Sequence, residues 1–297
     1  MRVNPNYSAD MVNLMDQAQQ NENNAAQELS TGRRVSLPSD DPAAEAAMIG
    51  ENSRSAAVDQ YTANSDSLTS VLNTANSTLT SVNSLLQRAV TLGVEGANGS
   101  MNQSDLNSIA EEVSNIQSQM LSLANTSYAG HYLFAGTATG SPPYVADTAN
   151  PSQIDYVGND QQNKVQIGTG LSVSANLPGS SIFSQSGANV FDALQSLVTA
   201  LQEGNSSAIA TAQTSVSSAL SAVGTAQVFY GSTVDELTTN ETFLSQEKLN
   251  ITTYENTLVS ADTAAAATSV TQDENVLNAT VEAAAKMNQS CLLNYIQ

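Results

Sequence analysis

The sequence has no tryptophan, a single cysteine and a single histidine, and eight lysines and arginines against 28 aspartates and glutamates. Each shortage removes a class of function. One thiol, Cys291, forbids an internal disulfide, and one imidazole, His131, rules out a multi-histidine metal site. A net charge of −20 repels phosphate backbones and anionic lipid headgroups, which argues against nucleic acid or a membrane surface as partner. No apolar run approaches the length that crosses a bilayer as a helix. The opening Met1-Arg2-Val3-Asn4-Pro5-Asn6-Tyr7-Ser8 lacks the apolar core of a cleavable leader, so none is expected. Phosphate-loop, nucleophile-elbow and H-E-x-x-H signatures are also missing. What fills the chain instead is Ser, Thr, Asn and Gln, about 40% of positions. The hydrophobic fraction is mostly Ala, Val and Leu, which suits cores built of small side chains.

The dominant pattern is a seven-residue repeat. Val58, Tyr61, Ser65, Leu68, Leu72, Ala75, Leu79, Val82, Leu86, Ala89 and Gly93 follow at alternating spacings of three and four. After a loop with Gly96 and Gly99, a second seam runs through Leu106, Ile109, Val113, Ile116, Met120 and Leu123, with Ser104 as the expected N-cap. A third keeps register from Ile209 through Val216, Val223, Tyr230, Leu237, Leu244, Ile251 and Leu258 to Ala265. It predicts one helix about 85 Å long, with Asn240 and Glu247 interrupting its second stripe. The ends carry thinner, Ala-rich stripes: Met11, Leu14, Met15, Ala18, Glu22, Ala25 and Leu29, then Val270, Leu277, Ala284 and Cys291, with Val281, Leu292 and Tyr295 nearby. Such stripes are too narrow to stabilise solitary helices, so both ends are expected to become ordered only against partners.

Between Ser141 and Gly187 the repeat vanishes and prolines and glycines appear. The runs 154–157, 164–167 and 171–175, separated by turns, predict a small antiparallel β unit of three or four strands. A helical pattern resumes at Phe191, Leu194, Val198 and Leu201 and stops at Gly204. The expected fold is therefore mainly α: a long-helix antiparallel coiled-coil or rod bundle formed by the N- and C-terminal halves, with a small β-rich insert lying outside the packing seam. Its parts are residues 1–40 with 263–297, residues 41–137 with 189–262, and the insert 138–188. Chemistry finds little footing. Cys291 reads as a small apolar packer, and His131 as a packed or solvated imidazole. Asp155, Asn159, Asp160 and Asn163 lack the glycine and final glutamate of a calcium loop. Asp40-Asp41 before Pro42 reads as a helix start, the carboxylate capping free N–H groups. No enzyme and no cofactor is expected.

The stretch Leu29-Ser30-Thr31-Gly32-Arg33-Arg34-Val35-Ser36-Leu37-Pro38-Ser39-Asp40-Asp41-Pro42-Ala43-Ala44 resembles the N-terminal segment of the bacterial flagellin superfamily. Its Pro-Ser-Asp-Asp-Pro-Ala-Ala form is closer to the hook–filament junction branch than to filament flagellin. Met1-Arg2-Val3, the segment Gly130-His131-Tyr132-Leu133-Phe134-Ala135-Gly136-Thr137 and the ending Leu292-Leu293-Asn294-Tyr295-Ile296 resemble the same branch. The resemblance implies terminal helices forming an inner coiled-coil tube, a surrounding helical rod and a variable β-rich outer insert. It also implies an extracellular place in the bacterial flagellum, reached by type III export without a cleaved signal. The implied partners are hook-associated protein 1, flagellin, further copies of the chain in a ring, and an export chaperone on the C-terminal segment. Met11, Leu14, Leu29, Leu277, Val281, Ala284, Leu292 and Tyr295 are the expected assembly and chaperone-binding anchors. Filament flagellin itself, or a helical sensory or adhesive extracellular domain, are the alternative readings; the second needs a membrane span, which the sequence does not offer.

Overall fold

A computed structural model describes residues 7–147 and 153–296. The helices are α1 (Tyr7–Thr31), α2 (Pro42–Gly96), α3 (Gln103–Ala124), α4 (Gly179–Ile182), α5 (Val190–Glu203), α6 (Ser206–Val259) and α7 (Thr263–Ile296). The strands are β1 (Ser127–Tyr128), β2 (His131–Tyr132), β3 (Tyr144–Ala146), β4 (Ile154–Tyr156), β5 (Lys164–Gly168), β6 (Leu171–Ser174), β7 (Ser184–Gln185) and β8 (Ala188–Asn189). By contacts the chain falls into two units, Ala57–Gln246 and Met1–Ala56 with Glu247–Gln297.

In the larger unit the heptads became the core. Leu68, Leu72, Ala75, Leu79, Val82, Leu86 and Ala89 of α2 are at most 3% exposed. They share one cluster with Val113, Ile116 and Met120 of α3 and with Ile209, Val216, Val223, Tyr230 and Leu237 of α6. Asn83 Nδ2 donates to Gln227 Oε1 at 2.6 Å, and Gln227 Nε2 donates to Thr80 Oγ1 at 2.9 Å. These bonds fix an antiparallel register that brings Leu72 level with Leu237. Helix α5 packs on α3 and ends at Gly204, whose left-handed φ of 67° suits glycine.

Three expectations need correction. Helix α3 is capped not by Ser104 but by Asn102, whose side chain accepts from Asp105 N at 3.0 Å. The third seam does not run unbroken to Ala265. Helix α6 stops at Val259, and Asp262 Oδ1 accepts from Ala264 N and Ala265 N to start α7. Ala265 is exposed and Ala266 is buried in its place, because the break resets the helical phase. Lastly, among the described residues the insert forms no single β unit, and it does not stay outside the core. Each ladder has two strands, β1–β2, β3–β4, β5–β6 and β7–β8.

Those small ladders are held by what they bury. Tyr144, Ile167, Val173, Ile182 and Phe183 belong to the same cluster as the helices. Phe134 meets Phe183 edge-on at 5.3 Å, and Tyr144 lies 5.1 Å from Phe191. Asn125 clamps Tyr144 from both sides, donating to its carbonyl at 2.8 Å and accepting from its N–H at 2.9 Å. Asn240, one of the two residues that break the α6 stripe, finds its purpose here. Asn240 Nδ2 donates to Ile167 O at 2.8 Å, so a buried amide holds β5 to the helix. Tyr230 Oη accepts from Leu177 N at 3.1 Å. The Gly130–Thr137 segment is structural for a similar reason. Gly136 has φ of 68°, and a Cβ there would lie 2.1 Å from Asn159 O.

Burial pushes the Tyr230 phenol up from 10.0 to about 12. The unfolded chain ionises first, so the stability that neutral Tyr230 contributes is complete below pH 10 and is lost as pH rises towards about 12. A base titration of melting temperature should therefore fall steeply in that window. Tyr230→Phe should flatten the fall while lowering stability at neutral pH, because Leu177 N–H loses its acceptor. An unchanged alkaline slope in the variant would contradict this.

Candidate assembly surfaces

The turn between α1 and α2 is held by a dense set of hydrogen bonds. Gly32, at φ of 66°, lets the chain leave α1. Arg34 N donates to Val259 O at 2.8 Å and Ala261 N donates to Gly32 O at 2.9 Å, so the two helix breaks are stapled as a short antiparallel bridge. Arg34 Nη2 adds bonds to Leu258 O at 3.0 Å and Asp41 Oδ2 at 3.1 Å. Asp40 Oδ2 accepts from Ser36 N and Leu37 N at 3.0 and 2.8 Å, and these N–H groups hold its carboxyl below the usual range. Asp41 Oδ1 caps α2 by accepting from Ala44 N at 3.0 Å; that bond and Arg34 likewise depress its carboxyl. Val35, Ala44 and Val259 close a small core beneath, flanked by Met48 and Leu258. The paired carboxylates are turn and cap, as the sequence suggests.

Helices α1 and α7 pack on each other. Their seam buries Ala18, Ala25 and Ala266, with Met15, Glu22, Val270, Leu277 and Ala284 half-buried. Alanines remove little apolar area from water, so this pairing is thin. Outside it, Val12, Leu14, Leu29, Val276 and Val281 stand 40–56% exposed. The expected anchors thus divide: Leu277 and Ala284 lie on the internal seam, whereas Leu14, Leu29 and Val281 are free for a partner. The side chains of Met11, Leu292 and Tyr295 lie outside the described residues. An open groove of about 710 Å³ runs along Ala267, Thr271, Asn275, Val276 and Ala279. Val12 and Val276 escape a seam-based reading because they sit off the stripe, each next to a stripe residue, Met11 and Leu277. In the larger unit, Val228 and Phe243 of α6 are 70% and 65% exposed.

The candidate chemical groups of the sequence are placed as follows. His131 is exposed, with Nδ1 3.2 Å from Thr139 Oγ1. Asn159 is spent on Thr137, its Oδ1 accepting from Thr137 N at 2.8 Å and its Nδ2 donating to Thr137 Oγ1 at 2.7 Å, while Asp160 accepts from Ser180 Oγ at 2.5 Å. Among the described residues no group of three His, Cys, Asp or Glu is placed to hold a metal ion, and no helix is long and apolar enough to cross a membrane.

Comparison with known proteins shows what this chain is similar to. Residues 3–139 match the bacterial flagellin N-terminal helical region. The chain is 29% identical over 182 residues to flagellar hook-associated protein 3 of Escherichia coli, covering 61% of this chain and 53% of that protein. It is 29% identical over 199 residues to a Listeria monocytogenes flagellin, covering 65% and 67%. The match spans just over half of the Escherichia coli relative's length and 60% of its Salmonella typhimurium counterpart. In fold it is similar to hook-associated protein 3 from Legionella pneumophila, with a TM-score of 0.64 at 14% identity over 70% of this chain and 98% of that one. It is similar also to Bacillus cereus FlgL, with 0.60 at 23% identity over 70% and 99%. Over residues 3–139, which include the Arg-to-Asp turn at the first helix break, the chain is thus similar to the bacterial flagellin N-terminal helical region.

Proposed function

We propose that the chain is a non-enzymatic structural subunit of the bacterial flagellum, outside the cell, joining the hook side to the flagellin filament. The observation that carries this is the paired α1 and α7, whose buried seam residues are the alanines Ala18, Ala25 and Ala266 while Leu14, Leu29, Val276 and Val281 remain exposed. Helices so built gain stability by docking on further copies, which bury what the pair leaves out. Residues 1–40 with 263–297 serve as the assembling domain, 41–137 with 189–262 as the rod, and 138–188 as the β-rich insert that shares the rod's core. The partners are hook-associated protein 1, flagellin and a ring of identical copies, with an export chaperone holding the C-terminal segment as an amphipathic helix in its groove. The junction branch is preferred to filament flagellin because hook-associated protein 3 relatives match in both sequence and fold.

A deletion strain separates these roles. Loss of the junction subunit leaves hooks that shed flagellin into the medium, and the intact gene restores attached filaments. Long filaments growing from seeded purified protein would instead identify the chain as flagellin. A Leu14→Asp, Val281→Asp pair should abolish incorporation into the junction while leaving the main melting transition unchanged, since both side chains are exposed. Normal incorporation of that variant would discard these residues as anchors. Hydrogen exchange on the dilute chain should be fast across 270–295; strong protection there would contradict the need for partners.

A further inference from the structure

The turn between α2 and α3 contains the sequence's one Asn-Gly step, Asn98-Gly99. Both residues are exposed and non-helical. Asn98 N donates to Glu95 O at 3.1 Å, and Asn98 O accepts from Met101 N at 3.2 Å, so the backbone is anchored on either side of the step. The side-chain oxygen of Asn98 accepts from Ser100 Oγ at 3.1 Å and, more weakly, from Ser100 N at 3.4 Å. Gly99 differs from its neighbours. Among the described residues its N–H meets no acceptor, and the space where a Cβ would stand is open.

We infer that Asn98 is a self-modification site, converted through a cyclic imide to aspartate or isoaspartate without an enzyme. In the first step the Gly99 peptide nitrogen bonds to Asn98 Cγ. The Cγ–Nδ2 bond breaks, and Nδ2 leaves as ammonia, carrying away the proton that Gly99 N gives up. In the second step one water opens the ring, its hydroxyl going to one imide carbonyl and its hydrogen to the nitrogen. Opening at Cγ leaves aspartate in a normal backbone; opening at the other carbonyl routes the backbone through the side chain as isoaspartate. No oxidant or reductant is consumed, and each event makes the chain more negative by one charge.

The geometry favours this step here. The bonds from Ser100 N and Oγ to Asn98 Oδ1 draw electron density from the Asn98 amide carbon. A glycine places no side chain in the path of ring closure, and an unheld N–H is free to be given up. Asn52, Asn64, Asn76, Asn83 and Asn107 each precede a serine but lie inside α2 or α3, where the helical backbone holds the following N–H away. The consequence is local and cumulative. The turn is pinned by Gly96, where a Cβ would lie 2.4 Å from Leu201 Cδ2, and by Asn102 capping α3. An isoaspartate lengthens the backbone between these two fixed points, so an old subunit carries both a new charge and a strained turn.

The test is ageing of the purified full chain in mildly alkaline buffer, followed by peptide mapping and methyl labelling with an isoaspartate-specific methyltransferase. The peptide bearing Asn98 should gain the mass of an amide-to-acid exchange and split into two isomers, faster as pH rises, while the five helical asparagines keep their amides. Gly99→Ala should slow the change by an order of magnitude, and Ser100→Ala should slow it severalfold, with melting temperatures of the fresh proteins unchanged. An amide at position 98 that persists as long as the helical ones overturns the inference, as does equal ageing in Gly99→Ala and the natural chain.

Discussion

Leu72→Asp and Leu237→Asp are each expected to cost the larger unit about 4 kcal/mol or more and to lower its melting temperature by roughly 10 °C. Both leucines are fully buried in one cluster. Truncation alone would open a cavity; the carboxylate adds a charge that the site cannot pair. The register set by Asn83 and Gln227 brings the two positions level, which permits a sharper test. Leu72→Ala and Leu237→Ala should be less costly together than the sum of the singles, because they empty the same space. Strict additivity, or aspartate variants melting with the natural protein, would show that α2 and α6 do not meet here.

The long helices are legible because their period persists over many turns, so a residue such as Val223 declares its face from position alone. Asn240 shows the limit of that reading. In sequence it is a polar break in a stripe, and only the folded chain reveals Ile167 O as its partner, 73 residues away. Tyr144 and Phe183 are unreadable as core for a related reason. They sit between turns rather than on a repeat, and their burial depends on aromatic contacts with Phe191 made across the fold. The stop of α6 is hidden too, since Ala261 and Asp262 fit a helix locally; what ends it is pairing with the distant Gly32–Arg34 strand. At the termini, sequence finds the stripe but not which side of it faces the partner helix. Leu277 and Val281 lie one turn apart, yet one is half-buried and the other exposed.

Removing residues 141–187 and closing the gap with a short Gly/Ser linker should abolish the cooperative melting of the larger unit, though the span holds no heptad. Deletion withdraws Tyr144, Ile167, Val173, Ile182 and Phe183 from the core, of which Tyr144, Ile167, Ile182 and Phe183 are at most 1% exposed. At about 1.5–3 kcal/mol for each large apolar side chain, the loss is on the order of 10 kcal/mol, comparable with a domain's whole stability. It also leaves Phe134 and Phe191 facing water and deprives Asn240 and Asn125 of the backbone groups they bind. A buried amide without its partner adds roughly 1–3 kcal/mol of its own. Asn240→Ala, which cuts one tether and keeps the aromatics, should lower the melting point by a few degrees and leave the transition cooperative. Helical circular dichroism of the deleted chain, followed with temperature, is the measurement. A sharp transition within a few degrees of the full chain would mean that the helices carry their core alone and that the insert only rests upon it.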